Sequence, residues 1–173
     1  MLNGQRIAIF IEDGFEDLEV IEPMRAMKAV NARVIVVGTG YSQIYRSKSG
    51  KRTITAEITA DRAKAEDYDA IVIPGDHTMK RMRLYQSVVE LVRQAHSLGR
   101  VVAAIRHGPQ LLISADIVRG HRMTSQPSIA LDLRNAGAEW IDAPVVQDRN
   151  LITARKPADL PKFIKAIIGA FKD

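Results

Sequence analysis

Arg106 and His107 stand side by side where an apolar run gives way to a helical one, in the stretch VVAAIRHGPQLL from Val101 to Leu112. Residue type limits the chemistry open to them. An arginine stays protonated and offers no lone pair, so it is no nucleophile, but its guanidinium pairs well with carboxylates and phosphates. A histidine titrates near neutrality and serves either as a base or as a structural hydrogen-bonding group at a helix start. Glu16 and Glu19 follow an early apolar run, and Gly75, Asp76 and His77 follow a later one. Arg106 can turn outward to another subunit or inward to a carboxylate such as Glu19, and an inward pair would be charge-assisted, which offsets part of the cost of taking both groups out of water. The remaining guanidinium donors, helped by the amides of the helix start, are then available to a small carboxylate, carbonyl or phosphate ligand. Glu16 also reads simply as an acid favoured by the helix dipole in a first turn. His77, His107 and Asp76 could in principle meet on a metal, but their spacing follows no recognised ligand pattern, and no metal or cofactor is expected.

These residues need a scaffold that brings them together. Val101–Ile105 has no polar face, which predicts a central parallel strand covered on both sides. Pro109 then sits in the first turn of a helix, where its missing N–H costs nothing. Arg6–Ile11, Ala32–Val37 and Tyr68–Ile73 read as three more apolar strands. Leu18, Ile21, Met24 and Met27 recur at helical spacing after the first of them, with Pro23 expected to bend that helix. Residues 38–60, with Gly38, Gly40 and Gly50, read as an irregular antiparallel excursion. Leu84, Val88, Leu91, Ala95 and Leu98 form another helical stripe, stopped by Gly99. Ser125-Gln126-Pro127 looks like a cap and first-turn proline for a helix ending near Gly137. Short strands at Trp140-Ile141, Val145-Val146 and Leu151–Thr153 precede a final helix carrying Leu160, Phe163, Ile164 and Ile167. Strands alternating with helices predict a doubly wound, mostly parallel α/β sheet over residues 1–173 as a single domain. Ligands of such sheets bind at the carboxyl ends of the strands, where all the residues named above fall.

Composition removes several classes of function. With 173 residues, 46% of them hydrophobic, the chain can bury a core without staples. It contains no cysteine, which excludes disulfides, thiolate nucleophiles and cysteine metal sites. No basic segment followed by an apolar stretch opens the chain, and no run approaches the ~20 apolar residues of a membrane span. A cytoplasmic protein without membrane contact is expected. The net charge is +5, with basic clusters at Lys80–Arg83 and Arg119–Arg122. No aromatics interleave with them as a base-stacking platform requires, so they read as solvated surface or subunit contacts rather than a nucleic-acid site. His96 and His121 are placed on the surface.

The string AIRHGPQLLISADIVRG resembles the nucleophile elbow of the ThiJ/PfpI superfamily, in its intracellular-protease-like branch, whose pattern reads A-I-C-H-G-P-Q-L-L-I-S-A. FEDLE, IPGDH, NAGAEW and LITARKPADLP extend the match over nearly the whole chain. The resemblance implies a flavodoxin-like fold, similar to class I glutamine amidotransferases, and cysteine-peptidase, glyoxalase or deglycase chemistry of stress proteins. It implies that Glu19 lies beside the nucleophile position, that His107 is the base, and that the amides of Gly75, Asp76 and His107 form an oxyanion hole. It also implies a homo-oligomer, dimer or hexamer, assembled near the elbow. This sequence departs from the pattern in three places. Arg106 stands at the cysteine position, Asp76 at the second glycine of Gly-Gly, and Lys80 where the branch carries an acid that reaches a neighbouring subunit's histidine. Three departures in one site predict a remodelled cleft: a non-catalytic homologue binding a small anion or a partner. The alternative is a hydrolase or lyase that works without cysteine, using Glu19 or His107 as general base. An acidic patch including Glu12, Asp13 or Asp17 is expected to face the Lys80–Arg83 run across a subunit contact.

Overall fold

The computed structural model describes residues 1–172. Its centre is a seven-stranded sheet of β1 (Arg6–Ile11), β2 (Arg33–Gly38), β5 (Ile58–Thr59), β6 (Ala70–Ile73), β7 (Val101–Ile105), β10 (Val145–Asp148) and β11 (Leu151–Ala154). Their order across the sheet is β10-β11-β7-β6-β1-β2-β5. Every pairing is parallel except that of β10 with β11. The apolar run at 101–105 is the sheet's interior, lying between β6 and β11. Alternate residues feed two cores. Ala8, Phe10, Ile71, Ile73, Val102 and Ala104 face one side, while Ile7, Ile9, Val72, Ala103 and Ile105 face the other.

Helices cover both faces. On the first lie α3 (Gln86–Ser97), α4 (Pro109–Ser114) and α5 (Ala130–Asn135), through Val88, Leu91, Val92, Leu111, Leu112 and Leu133. On the second lie α1 (Asp17–Ala29) and α6 (Leu160–Gly169), through Val20, Met27, Leu160, Phe163 and Ile167. A one-turn helix α2 (Met79–Met82) bridges β6 to α3. The excursion after β2 is an antiparallel hairpin of β3 (Ile44–Arg46) and β4 (Thr53–Thr55), as expected, but β5 then returns to the main sheet as a parallel edge. Trp140 lies in a separate parallel pair formed by β8 (Arg122–Met123) and β9 (Glu139–Trp140).

Four sequence expectations change in physical detail. The buried face of α1 is Glu19, Val20, Pro23 and Met27, whereas Leu18 is exposed. Glu19 is drawn inward by polar partners, and that rotation turns Leu18 out. Leu84 and Leu98 are exposed because α3 begins after the first of them and ends before the second. Gly99, at φ +74°, is nevertheless the left-handed stop. Ser125 caps no helix: its hydroxyl donates to the Gln126 carbonyl and accepts the Trp140 indole N–H at 3.0 Å. His121 is not on the surface but 5% exposed. Its Nδ1 lies 3.3 Å from Asp148 Oδ2, and its ring stands edge-on to His96. The last residue of β10 supplies that carboxylate, so nothing local to residues 119–122 announces the burial. Desolvation and the Arg149 guanidinium hold the imidazole of His121 below its ordinary pKa.

Candidate functional site

The elbow is a forced turn. Arg106 has φ +58°, a left-handed conformation that L side chains adopt at a cost. Three backbone bonds hold it there. Its amide donates to the Ala154 carbonyl at 3.0 Å, the next amide, of His107, donates to the Gly75 carbonyl at 3.0 Å, and the Arg106 carbonyl accepts the Gln126 amide at 2.9 Å. The loop after β6 packs directly against this turn. A Cβ on Gly75 would lie 1.5 Å from the Ile105 carbonyl oxygen and 2.7 Å from the Gly108 nitrogen. Only glycine permits that approach.

Arg106 reaches back toward α1. Its Nη1 donates to Glu19 Oε1 at 2.9 Å, with the two side chains 22% and 2% exposed respectively. The other oxygen of Glu19 accepts the Gly75 amide at 3.3 Å. Burial raises the carboxyl pKa, and the Arg106 hydrogen bond and charge oppose that rise without overcoming it. Of the two directions the sequence left open to Arg106, the structure shows the inward one, and Glu19 links α1, the β6 loop and the elbow.

His107 faces the opposite way. Its Nδ1 lies 3.3 Å from the Gly75 carbonyl, which only an N–H can satisfy, so Nε2 is the acceptor. Nε2 points to the Ser128 hydroxyl at 3.5 Å. Desolvation first, then the Arg106 cation, push the imidazole pKa down, so the ring is neutral at pH 7. Ser128 is the site residue that sequence reasoning missed. It follows Pro127 in a 3-10 turn some twenty residues downstream, and only the fold brings it to His107.

The amides expected to form an oxyanion hole are largely occupied. Gly75 N serves Glu19, and His107 N serves the Gly75 carbonyl. The start of α4 is committed as well, since Gly108 N donates to the Ile105 carbonyl at 2.9 Å. A sharp turn closes on its own hydrogen bonds, which leaves few amides for a ligand. Asp76 is buried, with Oδ1 accepting the Thr78 amide at 2.9 Å and Oδ2 lacking a partner. His77 and Lys80 are exposed. Among the described residues, no group of three or more histidines and carboxylates is placed to hold a metal ion.

Glu16 lies outside the pair, 3.4 Å from Lys48. The acidic patch expected for a subunit contact is already engaged within the chain. Glu12 is buried and accepts the Thr39 hydroxyl at 3.0 Å, Asp13 accepts the Arg46 amide at 3.0 Å, and Asp17 pairs with Arg52 at 3.4 Å. Arg81 in turn is spent on the Asp13 carbonyl. Two shallow clefts flank the elbow. One, of about 310 Å³, is lined by Arg106 with Glu16, Asp17 and Glu19. The other, of about 370 Å³, is lined by His107 with Asp76, His77, Lys80 and Arg83.

A doubly wound sheet with a strained strand-to-helix turn at its carboxyl end defines an α/β protein whose site is built on that elbow. The chain belongs to the DJ-1/PfpI family, whose sequence profile matches residues 5–170. It is 37% identical to a deglycase of Pyrococcus abyssi over 96% of this chain and 99% of that one. It is 32% identical to a putative cysteine protease of Bacillus subtilis over 98% of this chain and 99% of the other. Among solved structures, a two-domain protein of Anabaena variabilis with DJ-1/ThiJ/PfpI-like and ferritin-like domains superposes with a TM-score of 0.92 at 39% identity. That match covers 96% of this chain and 48% of the Anabaena protein, so the chain spans about half of it. Among the described residues no helix is long and apolar enough to cross a membrane.

Proposed function

We propose that this chain is a single-domain, non-catalytic DJ-1/PfpI homologue of the cytoplasm that has given up cysteine chemistry and binds a small organic anion in the cleft around its elbow. The observation that carries this is the Arg106–Glu19 pair at 2.9 Å, in a chain without cysteine. By family resemblance the nucleophile stands at position 106 beside the Glu19 carboxyl. Here a cation stands in its place and engages that carboxyl, which leaves neither a nucleophile nor a free acid beside it. The occupied amides of Gly75 and His107 count the same way, since an oxyanion has few donors to meet.

The test is an activity screen of purified protein against methylglyoxal and a fluorogenic peptide, beside an Arg106→Cys variant. Wild type is expected to be silent in both assays and the variant to gain turnover of at least one substrate. Wild-type turnover at rates typical of enzymes would overturn the proposal. A second reading, a cysteine-independent hydrolase or lyase, is favoured by one observation: His107 is neutral with Nε2 oriented as an acceptor. It requires wild-type turnover that is lost in His107→Ala or Glu19→Gln.

We also propose a homo-oligomer, a dimer or hexamer, assembled near the elbow. Its support is the exposed Tyr41, which packs edge-on against Tyr85. Size exclusion with light scattering is expected to give a multiple of the 19.2 kDa chain mass at micromolar concentration. A monomer at that concentration would remove this part of the proposal.

A further inference from the structure

The two clefts beside the elbow carry opposite charge. On the Arg106 side, one guanidinium that already holds Glu19 Oε1 faces three carboxylates, Glu16, Asp17 and Glu19. An anion entering there meets net repulsion. Lys48 and Arg52 offset part of it from outside, but each is engaged with Glu16 or Asp17.

On the His107 side the balance is reversed. Lys80 and Arg83 line the cleft, and neither forms a salt bridge with any described residue. Arg83 is held in orientation by its Nε donating to Ser114 Oγ at 2.8 Å, which leaves its terminal N–H groups unspent. A guanidinium fixed by one bond and open at its fork suits a planar or tetrahedral oxyanion. His107 adds a second requirement. With Nδ1 on the Gly75 carbonyl, Nε2 accepts, and the Ser128 hydroxyl 3.5 Å away marks where a donor can stand. Asp76 on the same wall sets a limit, because its carboxylate penalises a ligand bearing a second anionic group.

We infer that the bound anion lies on the His107 side of the elbow, its charged group between Lys80 and Arg83 and a hydroxyl of the same molecule donating to His107 Nε2. The ligand class is thus a small hydroxylated phosphate monoester or carboxylate with one anionic group. This rests on the proposed anion-binding function and relocates it: Arg106, the obvious cation of the sequence, is internal structure, and the less obvious Lys80 and Arg83 do the binding.

The experiment is calorimetric titration at pH 7.5 with glycerol 3-phosphate and glycerate, compared with inorganic phosphate and acetate. The hydroxylated probes are expected to bind more tightly than the plain ones. The Lys80→Gln/Arg83→Gln double variant should weaken them roughly 100-fold, about tenfold for each cation removed. His107→Phe should abolish the preference for a hydroxyl, whereas Glu16→Gln, which removes a carboxylate of the other cleft that lies outside the buried pair, should leave binding within about threefold of wild type. Binding that survives the Lys80/Arg83 changes, or that tightens more than about threefold in Glu16→Gln, would overturn this placement while leaving the anion-binding function standing. No binding of any probe to folded wild type would overturn both.

Discussion

Arg106→Ala is expected to lower the unfolding free energy by about 3–5 kcal/mol at pH 8, the range for stranding one half of a buried ion pair. The Arg106 side chain is 22% exposed, which places the loss toward the lower end. The φ of +58° does not enter the difference, because arginine and alanine are both unsuited to it. What remains after the change is a Glu19 carboxylate that is 2% exposed, with the Gly75 amide as its only donor among the described residues. Linkage makes this loss depend on pH. Burial already raises the Glu19 pKa above 4.5 in the folded chain, and Arg106 supplies the hydrogen bond and charge that hold the rise in check. Without the arginine it rises further. A carboxyl whose folded pKa is raised binds its proton more tightly in the folded state, so its contribution is full below the unfolded value and is lost as pH climbs through the folded one. The variant should therefore recover toward wild type as pH falls from 8 to about 5. Urea unfolding at the two pH values reads this directly. A second change, Glu19→Gln, should restore at least half of the loss at pH 8, because it removes the charge that was stranded. A single variant within about 0.5 kcal/mol of wild type at pH 8 would mean the pair carries no structural weight.

Much of this site was legible because its parts follow local rules. The apolar run Val101–Ile105 can only be a covered strand, and His107-Gly108-Pro109 can only open a helix, so the joint at Arg106 follows from the order of the letters. The Arg106–Glu19 pair was within reach only through the family resemblance, which puts Glu19 beside position 106; β6 lies between the strands that the two residues follow, and nothing local to either says that Arg106 turns inward. What could not be read depends on atoms far apart in sequence. Leu18 turns outward because Glu19, next to it, is claimed by residues 56 and 87 positions away. His121 is buried because Asp148 and His96 arrive from two other elements, and Glu12 is buried because Thr39 waits at the end of β2. The engagement of two of the three amides expected for an oxyanion hole has the same origin. Sequence shows that a turn brings amides together but not that the turn consumes them, as Gly75 and His107 do here. The same blindness concealed the sign of the two clefts: residue types tell how many charges there are, and only packing tells which of them are already paired.

Gly75→Ala is expected to be the most damaging single methyl in the chain. The added Cβ would fall 1.5 Å from the Ile105 carbonyl oxygen and 2.6 Å from its carbon, with the Gly108 nitrogen at 2.7 Å. All three are backbone atoms of the elbow, so no side-chain rotation relieves the clash. Either β6 or the β7–α4 turn must move. Moving β6 breaks its ladder with β7, in which Ile73 sits opposite Ala104, and moving the turn breaks the bond from His107 N to the Gly75 carbonyl. The same carbonyl orients the His107 ring through Nδ1, and the same residue's amide serves Glu19, so every part of the site shifts with it. The loss should exceed about 4 kcal/mol, beyond the ordinary range for a point change, and it should appear as insoluble protein or a collapsed urea midpoint. Gly99→Ala separates this from generic glycine effects. Gly99 has φ +74° with nothing within 4 Å of a would-be Cβ, so only the left-handed conformation is penalised, at about 1 kcal/mol. The contrast tests the architecture as well as the residue. If Gly75→Ala unfolds no earlier than Gly99→Ala, the β6 loop has room to withdraw from the elbow, and the tight joint that holds Arg106 against Glu19 is not what fixes the site.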